Sequence, residues 1–363
     1  MRPAGGAGRR VAERRSRAGG RVTGGSGDRP AAGADLRPLR RRRRRPLQGG
    51  GLMFAQQLNQ IRIDLSLSPR GPLLIRSGRQ GADPTRPNLE CVRTRLDGEP
   101  TVYVPGSSLK GVMRAHAERL LRSEGLAITD TFSDKGKDHF DQKSAGVDAY
   151  AGSCPLGRTF GNLYVKGHVS VSDLLPGGHD PAGSDDRKRQ LELANQVEQR
   201  NSVAIDRLLG SARGGALFDE EVVVQGRFDG RILLRNVQLY QLALVLLVLR
   251  DLDEGFVQLG SSTTRGHGFV AVEFRQLLIE SRRGRTAAGG LAGVGELMAD
   301  GDGYRFFAGD WMELPGELAT SGRLLWDRLE LPSASLDELA EGLIAGPWAR
   351  FLAAAKEVTE WRA

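Results

Sequence analysis

Ile61-Arg62-Ile63-Asp64-Leu65-Ser66-Leu67-Ser68 decides the fold. Aliphatic side chains fill every second position and polar ones the positions between, so a strand here buries one face and leaves the other polar. Working outward, Val102–Val104 reads as a short strand leading into Pro105-Gly106-Ser107-Ser108-Leu109-Lys110-Gly111. Leu109, Val112, Met113, His116, Ala117, Leu120 and Leu121 then recur at helical spacing; Ser107 or Ser108 is the expected cap and Gly125 the stop. Alternation at Leu163, Val165, Val169 and Val171 predicts a second strand. A third strand region spans Leu217–Leu234, broken by Gly226 and Gly230. Leu239, Leu242, Val245, Leu246 and Leu249 mark a second helix, and Phe269–Phe274 alternates again as a last strand. The order βαββαβ is that of an α+β, ferredoxin-like (RRM-like) core with large insertions. In an RRM the four-stranded sheet faces RNA, but the order alone hosts many functions.

Between these elements, 69–100, 130–160 and 176–200 are polar and read as irregular, the last as a mobile excursion. Residues 283–297 form a Gly/Ala-rich linker, and the tail that follows carries all four tryptophans. Within it Ser335-Leu-Asp-Glu338 has capping-box spacing, and Phe351, Leu352, Ala355 and Val358 suggest another helix. The expected division is therefore 1–52 as a disordered Arg/Gly-rich extension, 53–282 as the folded domain, and 283–363 as linker and small appendage.

Charge is unevenly placed. Residues 1–52 hold 15 Arg against three acids, a charge of +12, so the rest of the chain carries −4 of the overall +8. With almost no large apolar side chains that extension cannot offset chain entropy; Met53 reads as a natural start behind an upstream extension. The folded part is not a broadly basic nucleic-acid binder, so any RNA contact must come from a local patch. Two cysteines exclude a disulfide framework and fit a reduced cytoplasmic compartment. The most apolar run, Leu239–Leu249, is too short to span a membrane, and no secretion signal is seen.

Two glycine-bearing segments carry the chemistry. Pro105-Gly-Ser-Ser ahead of a helix presents backbone N–H groups and hydroxyls at a positive helix end, a ready phosphate site. Lys110 and Arg114 lie one turn apart and can reach one RNA strand. On spacing alone, an ordinary capped helix with a solvated basic face fits equally well. Gly260-Ser261-Ser-Thr-Thr-Arg265-Gly266-His-Gly268 has the backbone freedom to let a ribose–phosphate chain approach, with Arg265 supplying charge. It is not a Walker loop; a mobile turn is the plain alternative.

In order along the chain, Pro105-Gly-Ser-Ser-Leu-Lys-Gly-Val-Met-Arg114, Asn201-Ser-Val-Ala-Ile-Asp-Arg207 with Gly215-Ala-Leu-Phe218, and Gly260–Gly268 resemble the motifs of the RAMP superfamily, and most closely its Csm-type and type III-D-like backbone subunits, over about residues 57–275. The resemblance implies a subunit of a type III CRISPR effector complex, several copies of which hold guide RNA (crRNA) in a filament for pairing with target RNA. It implies RNA contacts at Gly106, Ser107, Ser108, Lys110, Arg114, Asn201, Arg207, Gly260, Ser261, Arg265, Gly266 and Gly268. It also implies a thumb insertion whose Val203, Ile205 and Leu208 wedge into the guide–target duplex, and as further partners other RAMP subunits, the large signature subunit and the small subunit. Ser261 and Ser262 stand where the family more commonly has glycine.

In cutting members of that family an aspartate in the loop after the first strand is required, and Asp83, in Ser77-Gly-Arg-Gln-Gly-Ala-Asp83-Pro-Thr-Arg-Pro87, is its best match, with Asp97 a rival. RNA supplies its own 2′-OH nucleophile, so an aspartate that orients it or holds Mg2+ (or Mn2+) would suffice, with Arg79 or Arg86 steadying the phosphate. An Asp-Pro turn is the plain reading of the same residue. Cys154-Pro-Leu-Gly lacks the second cysteine that some relatives have, and His139 and His168 match no zinc spacing, so no structural zinc is expected. Alternatives are a guide-holding subunit that cuts nothing, a RAMP endoribonuclease that processes precursor guide RNA, and an unrelated ferredoxin-like domain.

Overall fold

The structure, a computed structural model, describes residues 55–78, 87–129, 146–205, 208–209, 211–284, 290–298, 302–314, 321–358 and 361, with the backbone alone at 204–205 and 212–218. The architecture is α+β with antiparallel sheets. The central strand is β1 (Asn59–Pro69), followed by a hairpin of β2 (Arg93–Leu96) and β3 (Glu99–Val102) and then by helix α1 (Gly106–Ser123). Two short helices, α2 (Gly146–Gly152) and α3 (Pro155–Phe160), precede strands β4 (Val169–Val171) and β5 (Leu175–Pro176) and helix α4 (Asp185–Asn195). A long hairpin, β6 (Val197–Ile205) and β7 (Ala212–Val223), leads to β8 (Phe228–Arg235), α5 (Leu239–Asp253) and β9 (Val270–Arg282). The C-terminal part holds β10 (Gly290–Ala292), α6 (Val294–Leu297), β11 (Trp311–Glu313), β12 (Ser321–Arg323), β13 (Trp326–Pro332), α7 (Leu336–Leu343) and α8 (Ala349–Lys356).

The main sheet runs β12-β13-β9-β1-β8-β4, with β5 also on β8. β1 lies antiparallel between β8 and β9, with Ile63 opposite Ile232 on one side and Leu277 on the other. Ile61, Ile63, Leu65 and Leu67 are buried, as their alternation requires, under α1 and α5. α1 contributes Leu109, Met113, Ala117 and Leu121. α5 is buried along most of its length, from Leu239 to Leu252. Where β9 meets β1 the register shifts between Asp64 and Leu65, a bulge that carries Arg275 outward to donate to Ser66 Oγ at 2.8 Å.

Several expectations need correction. Leu163 and Val165 are not in a strand: the Asn162 side chain turns the chain back by accepting from the N–H groups of Tyr164 (2.9 Å) and Val165 (2.7 Å), and Leu163 is exposed. The third strand region is two strands in different sheets, parted at Gly226 (φ 101°), whereas Gly230 is no break but sits inside β8 against Leu174. The 176–200 excursion contains α4, capped by Ser184 Oγ accepting from the Arg187 N–H and anchored by Ala194. Residues 146–160, read as irregular, form α2 and α3. There Cys154 Sγ accepts from the Gly157 N–H, so this buried thiol serves as a helix cap. The 69–100 stretch includes the β2–β3 hairpin, and the 283–297 stretch includes β10 and α6.

The C-terminal part is tied in by a buried carboxylate. Asp310 accepts from the N–H of Leu239, at the start of α5, at 2.6 Å and from that of Gly295 at 2.8 Å. Strand β13 extends the main sheet beyond β9, with Leu329 opposite Ile279. Burial pushes the Asp310 carboxyl up to about 8, against the pull of those two donors. The unfolded chain releases the same proton near pH 4, so between these values the folded state holds more protons than the unfolded one. The contribution is therefore fully present below about pH 4 and lost as pH rises toward 8. Urea midpoints are expected to fall across that window, and Asp310→Asn to remove most of the slope.

Candidate RNA interface

One end of the sheet gathers three of the segments singled out above. β9 enters at Val270, opposite Pro69 at the end of β1. Immediately before it lies the glycine loop, and immediately after β1 lies the segment 70–78. The two are laced together by their backbones. Ser261 N–H donates to Leu74 O and Gly268 N–H to Pro72 O, both at 2.8 Å. The same segment pairs on its other side with the base of the β6–β7 hairpin, Leu73 exchanging both backbone bonds with Val223 at 2.8 and 2.9 Å. Residues 75–77 then pair with 90–92 as a narrow ladder: Val92 N–H donates to Ile75 O at 2.8 Å, and Ser77 N–H to Glu90 O at 3.1 Å. The stems of the loop containing Asp83 are thus rooted between the glycine loop and the hairpin base. Asp83, Arg79 and Arg86 lie outside the described residues, as does Arg207.

Two of the loop glycines answer to the protein itself. A Cβ on Gly260 (φ 93°) would sit 2.3 Å from Leu74 O, and one on Gly268 (φ 91°) 2.3 Å from Leu259 O. Gly266 (φ 83°) faces open space. Ser262, also left-handed at φ 61°, turns its hydroxyl to Glu220 Oε2 at 2.8 Å. Arg265 pairs with Glu220 Oε1, which also accepts from Ser202 Oγ at 3.1 Å, and His267 Nδ1 lies 3.7 Å from Oε2. Glu220 is fully buried. Burial lowers the His267 pKa, Glu220 opposes that, and Arg200 and Arg265 add to it, which favours a neutral imidazole. Next along β7, Glu221 holds Arg93 in a salt bridge and accepts from the Cys91 N–H at 2.8 Å. Glu220 and Glu221 were not singled out in the sequence. A run of three acids, Asp219-Glu220-Glu221, ahead of Val222-Val223-Val224 is the trace they leave there.

The helix motif sits by the other edge of the core. The cap of α1 is Pro105, not Ser107 or Ser108, because the chain is already helical at Gly106. Gly106 is packed so closely on the Val171–Ser172 backbone that a Cβ would lie 2.3 Å from Val171 O, and its N–H is taken by Asp173 Oδ1 at 2.8 Å. Ser107 is exposed and Ser108 half-buried. Lys110 is half-buried, and burial together with neighbouring Arg114 lowers its pKa, so an anion alongside would relieve an unfavourable charge. Arg114 donates to Gly161 O at 2.6 Å. Asn201 is exposed on β6, opposite Asp219. Val203, Leu208 and Leu209 are exposed at or near the far end of that hairpin, and the Ile205 side chain is outside the described residues. Asp97, in the β2–β3 turn, is engaged by Arg187 at 2.8 Å. Among the described residues no three His, Cys, Asp or Glu side chains converge as a metal site, and no helix is long and apolar enough to cross a membrane.

The glycine geometry sets a test. Gly260→Ala and Gly268→Ala each force a Cβ onto a carbonyl oxygen at positive φ and should cost about 1–3 kcal/mol or more. Gly266→Ala meets no atom and should cost only the left-handed backbone preference, about 1–2 kcal/mol. Urea denaturation of the three variants measures the order. Equal losses at all three would remove the close-approach argument.

No curated protein matches the chain. Comparison with models of protein families matches the RAMP superfamily over residues 66–271. That span runs from within β1 to the start of β9 and takes in the helix motif, the hairpin and the whole glycine loop. It is more than half of the 363 residues, and the chain belongs to the RAMP superfamily.

Proposed function

We propose that this protein is a guide-RNA-binding backbone subunit of a type III CRISPR effector complex, working in the cytoplasm beside other copies of itself or related RAMP subunits and the large and small subunits. We read the sheet order β9-β1-β8-β4, with α1 and α5 on one face, as a ferredoxin-like core. What supports the RNA-binding reading, beyond family membership, is a convergence. The glycine loop, the base of the β6–β7 hairpin and the stems of the Asp83 loop are hydrogen-bonded into one cluster at one end of the sheet. A strand of RNA crossing that end would meet Arg265 and the open side of Gly266, with Asn201 and Arg207 on the hairpin and Lys110 on α1 as further contacts. These groups address phosphate and ribose, leaving sequence to base pairing.

We propose further that the subunit cuts complementary target RNA at regular intervals, with Asp83 as the residue the reaction depends on and Mg2+ or Mn2+ as the required ion. When bound, the ion would supply charge stabilisation at the scissile phosphate. The protein's own part is to hold the target strand fixed across the loop, so that a 2′-OH lies in line with its neighbouring phosphate. What supports this reading is that the stems of that loop are hydrogen-bonded to the glycine loop and the hairpin base.

The test uses the assembled complex with a guide and a labelled complementary RNA, in Mg2+ or EDTA. A metal-dependent ladder of regularly spaced cuts is expected, lost in Asp83→Ala while RNA binding persists. Binding without cuts in the wild type would leave the non-cutting guide holder and end the enzyme proposal. Lys110→Ala should weaken guide binding and lower the dependence of log K on log salt by about 0.7, the share of one single-strand phosphate contact. An unchanged slope would remove Lys110 from the interface.

A further inference from the structure

Glu220 is a buried carboxylate from the hairpin whose partners come mostly from elsewhere. Its two oxygens are held by Ser202 on β6, by Ser262 of the glycine loop and by Arg265 of the same loop, with His267 at 3.7 Å. Ser262 is in the left-handed region, so its hydroxyl reaches Glu220 at the cost of an unfavourable backbone. Arg265 remains partly exposed while its guanidinium is engaged by a fully buried anion. A carboxylate holding a guanidinium from below while part of it meets solvent is how a cation is presented in one orientation. The same carboxylate ties together two elements that are more than 40 residues apart in the chain.

We infer that Glu220 is a positioning residue for RNA: it locks the β6–β7 hairpin to the glycine loop, so that Arg265 on one and Asn201 on the other meet a single RNA strand at a set separation. This rests on the RNA-binding reading above.

The experiment compares wild type, Glu220→Gln and Glu220→Asp as full chains, with a labelled single-stranded RNA of mixed sequence titrated at several salt concentrations. Gln keeps the shape and drops the charge; Asp keeps the charge and shortens the reach. Both are expected to bind about tenfold more weakly, the scale of one hydrogen bond to a charged group. Both should also show a salt slope shallower by about 0.7, because one element no longer engages its phosphate. A merely structural role would lower the melting temperature and leave the slope of the folded fraction unchanged. If Gln binds more tightly with a steeper slope, Glu220 is a competing anion and the inference is overturned. It is overturned equally if Asp binds like wild type. Should either variant fail to fold, Ser262→Ala removes one bond between hairpin and loop while leaving the buried charge paired with Arg265. It is then expected to give the same two shifts in smaller measure, and wild-type behaviour would overturn the inference. Absence of RNA binding in the wild type would instead be the failure of the functional reading.

Discussion

β1 has to satisfy two environments at once. Its odd-numbered aliphatic residues fill the core under α1 and α5, and its even-numbered side chains look the other way, so a one-residue slip against either neighbour would put Asp64 and Arg62 into the core. The polar face is itself cross-linked. Asp64 takes both Arg62 (3.0 Å) and Arg231 (2.8 Å), Ser66 donates to Asp229 at 2.6 Å, and Arg328 from β13 reaches Glu280 on β9. These pairs lie along the registers that the aliphatic face requires, so the two faces specify the same alignment. Everything at the loop end of the sheet, including where the glycine loop meets segment 70–78, depends on that alignment.

Beyond the sheet, buried charged groups act as joints between segments distant in sequence. Asp310, buried with its carboxyl pushed up to about 8, joins the C-terminal part to the N-terminus of α5, while the exposed Asp173 closes the first N–H of α1. Arg158 is fully buried, and among the described residues it is held by carbonyl oxygens and not by a carboxylate. It donates to the carbonyl oxygens of Ala151, Ser153 and Arg305, each at 2.9 Å, and is ringed by Tyr150, Phe307 and Trp361 at 5.0–5.3 Å. Carbonyl dipoles and aromatic faces offset part of the cost of burying that charge. The arrangement draws α2, α3 and the C-terminal part around one side chain. Glu220 is the same device at the candidate RNA interface.

This explains what the sequence could and could not reveal. β1 and α1 were legible because each buries a stripe at a fixed period, a property local to the element; α5 shows as an apolar run buried nearly all round, and β9 was legible only over its first half, the alternation ending at Phe274 while the strand runs on to Arg282. α4 was missed because Ala194 is the one buried residue in it, and its start is marked only by Ser184 followed by two acids. Gly226 could be read as a break, but not that the chain on either side belongs to different sheets. Pairing of Leu73 with Val223 is set by contacts across 150 residues. The candidate site was legible in its glycines and in Arg265, whereas Glu220 was invisible because nothing in the run Asp219-Glu220-Glu221 tells which acid turns inward to meet the glycine loop. The reasons for the glycines also shifted. Gly106, Gly260 and Gly268 admit the protein's own backbone, which leaves Gly266 as the loop glycine with room for another chain.

The open face of the sheet bears on how RNA can be held. An RRM sheet stacks bases on aromatic side chains. On the face away from α1 and α5, β8, β1 and β9 carry Arg231, Leu233, Arg235, Gln60, Arg62, Asp64, Ser66, Gln276, Leu278 and Glu280, of which Asp64, Ser66, Leu278 and Glu280 are buried, and the aromatic this face gains from β13 is Trp326, which lies against Arg282. Several of the charged ones are already committed to one another. Along β8, β1 and β9 such a face offers no row of aromatic side chains for bases to stack on, unlike the sheet of an RRM. The loop end offers a different kind of contact: Arg265 held in one orientation by Glu220, backbone that is already hydrogen-bonded into position, and Gly266 open to close approach. On the proposed reading, in which RNA is held with its bases left available for pairing, contacts to phosphate and ribose at that end suit the task better than a surface that stacks bases.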